Sequence, residues 1–471
     1  MVLSTASGCR REVTVERHPE ERQLLADLTA DFEHLTPAET LELRQLQVAA
    51  IPAVPSYYSL ATASAVPLYT GPILVPSADG KVPDRVEGTV SLELTPKPRV
   101  LMSGSVPTSI VVSNLLDGMA APELPAMSTL PEPPQTPSKV GSASWHGPVR
   151  GCVVGKAAAA TTVTFHLINF VSMHGGVITD AKDAWSGRVV ATAGPWVVTI
   201  DARPDLSEIM TAMRDRGGYA VTHTCRLERH DGRRFSVDRC EQLLTCLTWC
   251  LWFCRAAASA VILPVGFDKD DRAMWSRWSA PHADPLPDTH WQWFDKLYGA
   301  EQLGILLPRF FGRWSDPVWQ LSLQRAVRYY ADASVMGTLQ RNVVLAQVGL
   351  ETLAFAHLVR SSQKLTAKQF SVPPVSKHIR QFLRDFGIPT TIPRTFYGLR
   401  AVRANSPWDG PAAIAWLRND IVHAARHRVH GRRWKVWRQG WDLALWYLEL
   451  GMLAVVEYDG RTATASQVSR T

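Results

Sequence analysis

The sequence predicts a multidomain α+β protein with a β-containing N-terminal region, an α+β middle section and a C-terminal all-α helical bundle. Three observations carry that expectation. At 471 residues the chain is longer than one typical domain. Short apolar runs dominate up to Leu227, whereas beyond Trp314 apolar residues recur at helical spacing. A stretch rich in Pro, Ser and Ala from Gly118 to Gly147, with Pro131, Pro133, Pro134 and Pro137 close together, reads as a linker or long exposed loop. The expected parts are the N-terminal region 1–117, the linker 118–147, the middle domain 148–316, the bundle 317–460 and a tail 461–471.

In chain order, Leu24, Leu28, Phe32 and Leu35 share a face of a helix expected from Leu24 to Leu46 and interrupted at Pro37. Strand-like runs follow around Tyr57–Tyr69 and Gly88–Leu94, where Val90, Leu92 and Leu94 alternate with Thr89, Ser91 and Glu93. In the middle section Val163–Leu167, Val197–Ile200 and Tyr219–Leu227 read as strands. Asp231-Gly232 is a hairpin signal returning through Arg234-Phe235-Ser236. Ser236 or Asp238 then caps a helix running to about Cys254. The Trp-rich stretch from Trp275 to Trp293 is expected to supply packing rings rather than a ligand platform.

Helices are expected at about 317–335, 340–360, 375–387, 411–427 and 439–458. Leu345, Val348, Thr352 and Phe355 line one face of the second. Ile414, Leu417, Ile421 and Ala424 line the fourth, with Gly410-Pro411 at its start and Gly431 beyond its end. Leu445, Leu448, Met452 and Val455 are spaced for burial on the fifth.

Hydrophobic residues make up 46% and charged residues 20%, a globular composition that excludes a wholly disordered chain. Fifty basic against 43 acidic residues leave a net charge of +7, which favours an anionic partner modestly. Met1–Glu21 carries Arg10, Arg11, Glu12, Glu16 and Arg17 and does not read as a secretory signal. The apolar runs Leu243–Pro264, broken by Arg255, and Trp441–Val456, which contains Asp442 and Glu449, do not read as membrane spans. Seven irregularly spaced Cys read as free thiols of a reducing compartment, so the expected location is cytoplasmic.

The chemistry-bearing stretch is Arg418-Asn419-Asp420-Ile421-Val422-His423. It combines a permanent cation suited to phosphate with the side chain that moves protons near neutral pH. At about 100° per residue Asn419 and His423 share a helix face, and Arg418 lies about 140° from His423 but is long enough to curl toward it. RNA carries its own nucleophile in the 2′-hydroxyl, so cutting it requires a base, an acid and a cation for the charge growing on phosphorus. His423 suits proton transfer, Arg418 the charge and Asn419 the positioning, and a symmetric dimer would bring a second His423. The bland alternative is a solvated helix face shared with Asp420 and Arg426.

Placed on the penultimate helix of a C-terminal bundle, these six residues resemble the R-N-x-x-x-H signature of HEPN domains, helical modules of many antiviral, toxin and RNA-processing proteins. Ala346–Leu353 looks like the first core helix of some of them, in which an acidic residue faces the motif. Glu351 is therefore expected to partner Arg418. The resemblance covers about residues 317–460 and implies a metal-independent endoribonuclease that dimerises through the bundle and leaves 2′,3′-cyclic phosphate ends. A longer β-containing region ahead of such a bundle is similar to bacterial abortive-infection proteins, which implies phage defence and regulation of the bundle by the front of the chain, with a protein trigger. Some HEPN domains bind RNA or nucleotide without cutting.

Other candidates are weaker. Cys246, Cys250 and Cys254 recur on one helix with Cys240 upstream, but no CxxC pair exists and Leu243, Leu247 and Leu251 surround them, which reads as core rather than zinc. His223 and Cys225 share a strand face that His230 does not join. Gly151–Ala157 is one residue short of a phosphate loop and has Ala157 where a hydroxyl is required. Neither a metal nor any other cofactor is expected. Arg426, Arg428, Arg432, Arg433 and Lys435, interleaved with Trp434 and Trp437, form a loop read as an RNA backbone contact. The leading expectation is a cytoplasmic, RNA-cutting homodimer. Its rivals are a non-catalytic RNA- or nucleotide-binding module, and a sensor or scaffold docking through its Trp-rich middle.

Overall fold

A computed structural model describes residues 51–60, 65–75, 84–107, 142–149, 151–180, 183–286, 293–372, 374–402, 408–423 and 434–460. The helix expected at Leu24–Leu46 and residues 118–141 of the expected linker lie outside them.

Two sheets form the front of the described chain. The smaller is an antiparallel meander of β2 (Ala65–Val75), β3 (Asp84–Glu93), β4 (Arg99–Pro107) and β5 (Ser142–Pro148). The larger has nine strands in the order β1-β8-β9-β10-β11-β7-β12-β13-β6. These are β1 (Ile51–Pro52), β6 (Cys152–Gly155), β7 (Thr162–Ile168), β8 (Gly176–Thr179), β9 (Ala184–Ala193), β10 (Trp196–Ala202), β11 (Val221–Arg229), β12 (Ala260–Phe267) and β13 (Ala273–Trp278). All its neighbours are antiparallel except β1 and β8.

Several expectations need correction. Residues 142–147 belong to a strand paired with β4, because a Ser- and Ala-rich segment still pairs where a neighbouring edge offers free backbone groups. Residues 57–60 of the first N-terminal run are coil, and Ala65–Tyr69 are the start of β2. The chain after Asp231-Gly232 does not fold back along β11. Instead Phe235 bridges to Ala160.

Period-two alternation gives β7 two different faces. Val163, Phe165 and Leu167 join a core with α2 (Val237–Arg255), while Ile168 joins a second core beneath the small sheet, with Val90, Leu92 and Met102. Ser236 caps α2, its hydroxyl accepting from Arg239 N–H. Cys246, Cys250 and Cys254 are buried along α2, and burial pushes the Cys246 and Cys250 thiols well up, so they stay protonated as small apolar groups. Trp275, Trp278 and Trp293 are buried packing rings.

On the face toward the small sheet, Arg188, Asp201, Thr224 and His166 stand side by side across β9, β10, β11 and β7, all buried. Such a row needs partners. Residues 52–60 cross it and supply them. Arg188 grips Asp201 through two hydrogen bonds of 2.7 and 2.6 Å and donates to the Pro52 carbonyl at 2.7 Å. Val54 N–H donates to Asp201 Oδ2 at 2.8 Å, and Ser56 Oγ lies 2.8 Å from His166 Nε2. Tyr58 OH accepts from Trp278 Nε1 at 2.9 Å.

The rest of the described chain is helical apart from its connections. Besides α1 (Leu206–Arg216), which lies between β10 and β11, it comprises α3 (Gly299–Trp314), α4 (Pro317–Ser334), α5 (Leu339–Phe355, continued by a π-helical turn to Ser361), α6 (Ala367–Phe370), α7 (Val375–Asp385), α8 (Tyr397–Ala401), α9 (Gly410–Val422) and α10 (Trp434–Val455). One apolar cluster runs without a break from Phe165 on the sheet through Leu247 of α2 to Tyr330, Leu350 and Leu448. The segment Leu339–Ser361 is long and apolar enough to cross a membrane by length and composition, and 56% of its apolar window is buried inside the fold.

Candidate functional site

The motif is carried by α9, whose start is strongly specified. Asp409 accepts from Ala412 N–H at 3.1 Å as the N-cap, and Pro411 occupies the first turn, where its missing N–H is not needed. Arg380 of α7 donates to both Asp409 oxygens, one of them at 2.9 Å. Burial works against the Asp409 charge, but the Arg380 hydrogen bonds and the cap outweigh it and hold the carboxyl below its ordinary range.

Close approaches set the register of the helices around α10. Gly410 packs on Tyr447 and Leu417 on Gly440, so α9 and α10 run antiparallel. Gly349 packs on Leu448 and Leu353 on Gly451, so α5 and α10 run parallel. The C-terminal end of α9, the start of α10 and the start of α5 therefore share one end of the helical region.

Arg418, Asn419 and His423 all lie at that end. Ile414 and Leu417 are fully buried and anchor the helix, with Ile421 packed against the core. Arg418 and Asn419 are half-buried, and Arg418 Nη1 donates to Asn419 Oδ1 at 3.2 Å. His423 is exposed. Its N–H still donates to the Asn419 carbonyl at 3.1 Å, so the two positions share a face, but its ψ of 101° leaves the helix. This corrects the helix expected to 427. The β-branched pair Ile421-Val422 is a weak place to prolong an exposed helix, so α9 stops there. Ala424, Arg426, Arg428, Arg432 and Arg433 lie outside the described residues.

Glu351 is not the partner of Arg418. It is half-buried and accepts from Gln347 Nε2 at 2.8 Å on its own helix. Because α5 and α9 run in opposite directions, Glu351 is level with the start of α9, roughly 15 Å along the axis from Arg418 at 1.5 Å per residue.

The basic stretch also changes character. The last helix is already formed at Trp434, ahead of the expected start at about 439, so Lys435 is helical and not part of a loop. Lys435 Nζ donates to Tyr397 OH at 3.0 Å, and Leu399 N–H donates to Gln439 Oε1 at 2.9 Å, which holds α8 against α10. Trp437 is buried, whereas Trp434 is 65% exposed.

Asp442, noted in the sequence only as a charge within an apolar run, is a further titratable group. Burial raises it to about 6 against the pull of Arg438, which donates to Oδ1 at 2.9 Å. The spacing Arg438-x-x-x-Asp442 was the available signal. Leu417 meets α10 at Gly440, and residues two positions either side lie about 160° around, so this pair faces away from α9 and does not join the motif.

Residues 155–289 match the family described as the YopA central domain, and residues 316–467 that described as the YopA C-terminal domain. Over 322 residues the chain is 27% identical to the SPbeta prophage-derived uncharacterized protein YopA of Bacillus subtilis (strain 168), across 66% of this chain and 70% of that protein. No solved structure matches. In its middle and in its C-terminal helices, the chain is thus similar to the two YopA domains.

Proposed function

We propose that the C-terminal helices form a HEPN-like module that engages RNA where α9 ends and α10 begins, and cuts it without a metal. The observation that carries this reading is the joint presentation of Arg418, Asn419 and His423 at the open end of a buried, well-anchored helix. Arg418 neutralises charge on the scissile phosphate, Asn419 holds Arg418 in place, and His423 transfers a proton to or from the reacting oxygens. One copy contributes a single His423, so a homodimer that faces two modules across a groove supplies both the acid and the base. The β-rich front, locked to the middle sheet through residues 52–60, is the regulatory part in this reading, and a protein trigger acts on it. The prophage origin of the Bacillus relative is consistent with a role in phage biology.

Purified protein incubated with unstructured RNA in EDTA tests the reading. Cleavage that disappears in Arg418→Ala and in His423→Ala supports it, and intact RNA under every activating condition removes it. A second reading, RNA or nucleotide binding without cleavage, is favoured by the position of Glu351, which leaves Arg418 oriented by Asn419 alone among the described residues. Binding that depends on Arg418 but not on His423, with no product formed, selects that reading.

A further inference from the structure

The end of the helical region that carries Arg418 and His423 also exposes apolar side chains. Of the nine large hydrophobic side chains exposed among the described residues, four lie there: Met336, Tyr397, Val422 and Trp434. Met336 precedes α5, Val422 closes α9, Trp434 opens α10, and Tyr397 opens α8, which Lys435 and Gln439 hold against α10. All four lie at one end of the helical region, unlike the scattered exposure that needs no explanation. Tyr397 and Trp434 are the two most exposed of the nine, at 60% and 65%.

The charge at this end decides what covers the patch. Arg341, Arg400, Arg418 and Lys435 all lie here, and none forms an ion pair with a carboxylate among the described residues. In the dimer proposed above, two copies bring these cations to the two sides of one groove, where like charges repel unless an anion lies between them. A polyanion relieves them, and one with exposed flat rings also covers the aromatics.

We propose that Trp434 and Tyr397 form a stacking platform for unpaired bases, which makes the partner at this end single-stranded RNA. This rests on the RNA reading above and adds strandedness to it. A duplex hides its base faces and would use the cations alone. A single strand uses both, its phosphates along Arg341, Arg418 and Lys435 and its bases on the rings. Stacking tolerates any base, so the platform selects for lack of pairing and not for sequence.

Fluorescence anisotropy with short labelled 2′-O-methyl oligonucleotides, single-stranded and duplex, tests this without interference from cleavage, because the 2′-hydroxyl is blocked. The single strand should bind about tenfold more tightly than the duplex, and Trp434→Ala or Tyr397→Ala should weaken single-strand binding roughly tenfold to a hundredfold while leaving duplex binding unchanged. Arg418→Ala should weaken both, and Val190→Ala, exposed on β9, neither. Equal affinity for the two forms, or single-strand binding untouched by Trp434→Ala, overturns the platform and leaves the RNA reading in place. Absence of binding to either form overturns both. Self-association that Trp434→Ala abolishes, without RNA binding, assigns the patch to a second copy and also overturns the proposal.

Discussion

The Glu449 carboxyl makes the stability of the helical region fall as pH rises. It lies on α10, 5% exposed, where Tyr330 OH of α4 donates to Oε1 at 2.7 Å. Burial raises it from 4.5 to about 8, with the Tyr330 hydrogen bond opposing only part of the effect. The folded chain therefore keeps a proton that the unfolded chain releases. Its stabilising effect is complete below about pH 4.5, shrinks as pH rises toward about 8 and is flat above that. At pH 7 the difference comes to about 3 kcal/mol, at ~1.4 kcal/mol per pH step. Glu449→Gln preserves the shape and an oxygen for Tyr330 but carries no charge. It should raise the urea midpoint near pH 7 by an amount equivalent to about 3 kcal/mol and leave the midpoint near pH 4 unchanged. Tryptophan fluorescence across urea series at both pH values measures this. A variant less stable than the parent near neutral pH, or an equal effect at both pH values, would mean that Glu449 does not hold a proton in the folded chain.

Arg188→Ala strands the buried Asp201 charge and frees the Pro52 carbonyl, so it should cost about 3–5 kcal/mol and admit protease to residues 52–60, whereas replacing Arg188 and Asp201 together with Leu should cost far less. Gly410→Ala drives a methyl into the Tyr447 ring and should cost about 1–3 kcal/mol by thermal denaturation; a neutral result would contradict the antiparallel packing of α9 on α10. Asp409→Ala removes the cap and the Arg380 pair. It should cost roughly 1–2 kcal/mol at neutral pH, with the difference from the parent narrowing on acidification, because a carboxylate held below its ordinary range stabilises only while ionised.

Where the sequence carried local punctuation, structure followed it. Gly410-Pro411 marked the start of α9 to within a residue, because Pro acts on the chain immediately around it, and the structure adds Asp316 and Asp409 as the cap residues of α4 and α9. The end of α9 was misplaced because Gly431 looked like the terminator, while the β-branched Ile421-Val422 pair had already weakened the helix. The helix Gly299–Trp314 was not anticipated, since Gly304, Pro308 and Gly312 interrupt a pattern whose apolar face is nonetheless buried at Leu303, Leu306, Leu307 and Phe310. Glu351 was expected to partner Arg418, but its distance from Arg418 depends on the opposed directions of α5 and α9, which no local pattern encodes. Likewise, the spacing of Trp434 and Trp437 gave no sign that one is exposed and the other buried.

If Arg418 and His423 cut RNA through its own 2′-hydroxyl, as proposed, the product ends carry the signature of that chemistry. In EDTA, RNA treated with the full chain should end in 2′,3′-cyclic phosphate with a free 5′-hydroxyl on the other fragment, and neither end should form with His423→Ala or Arg418→Ala. Ends bearing a 5′-phosphate, or cyclic ends still made by the His423→Ala protein, would contradict it.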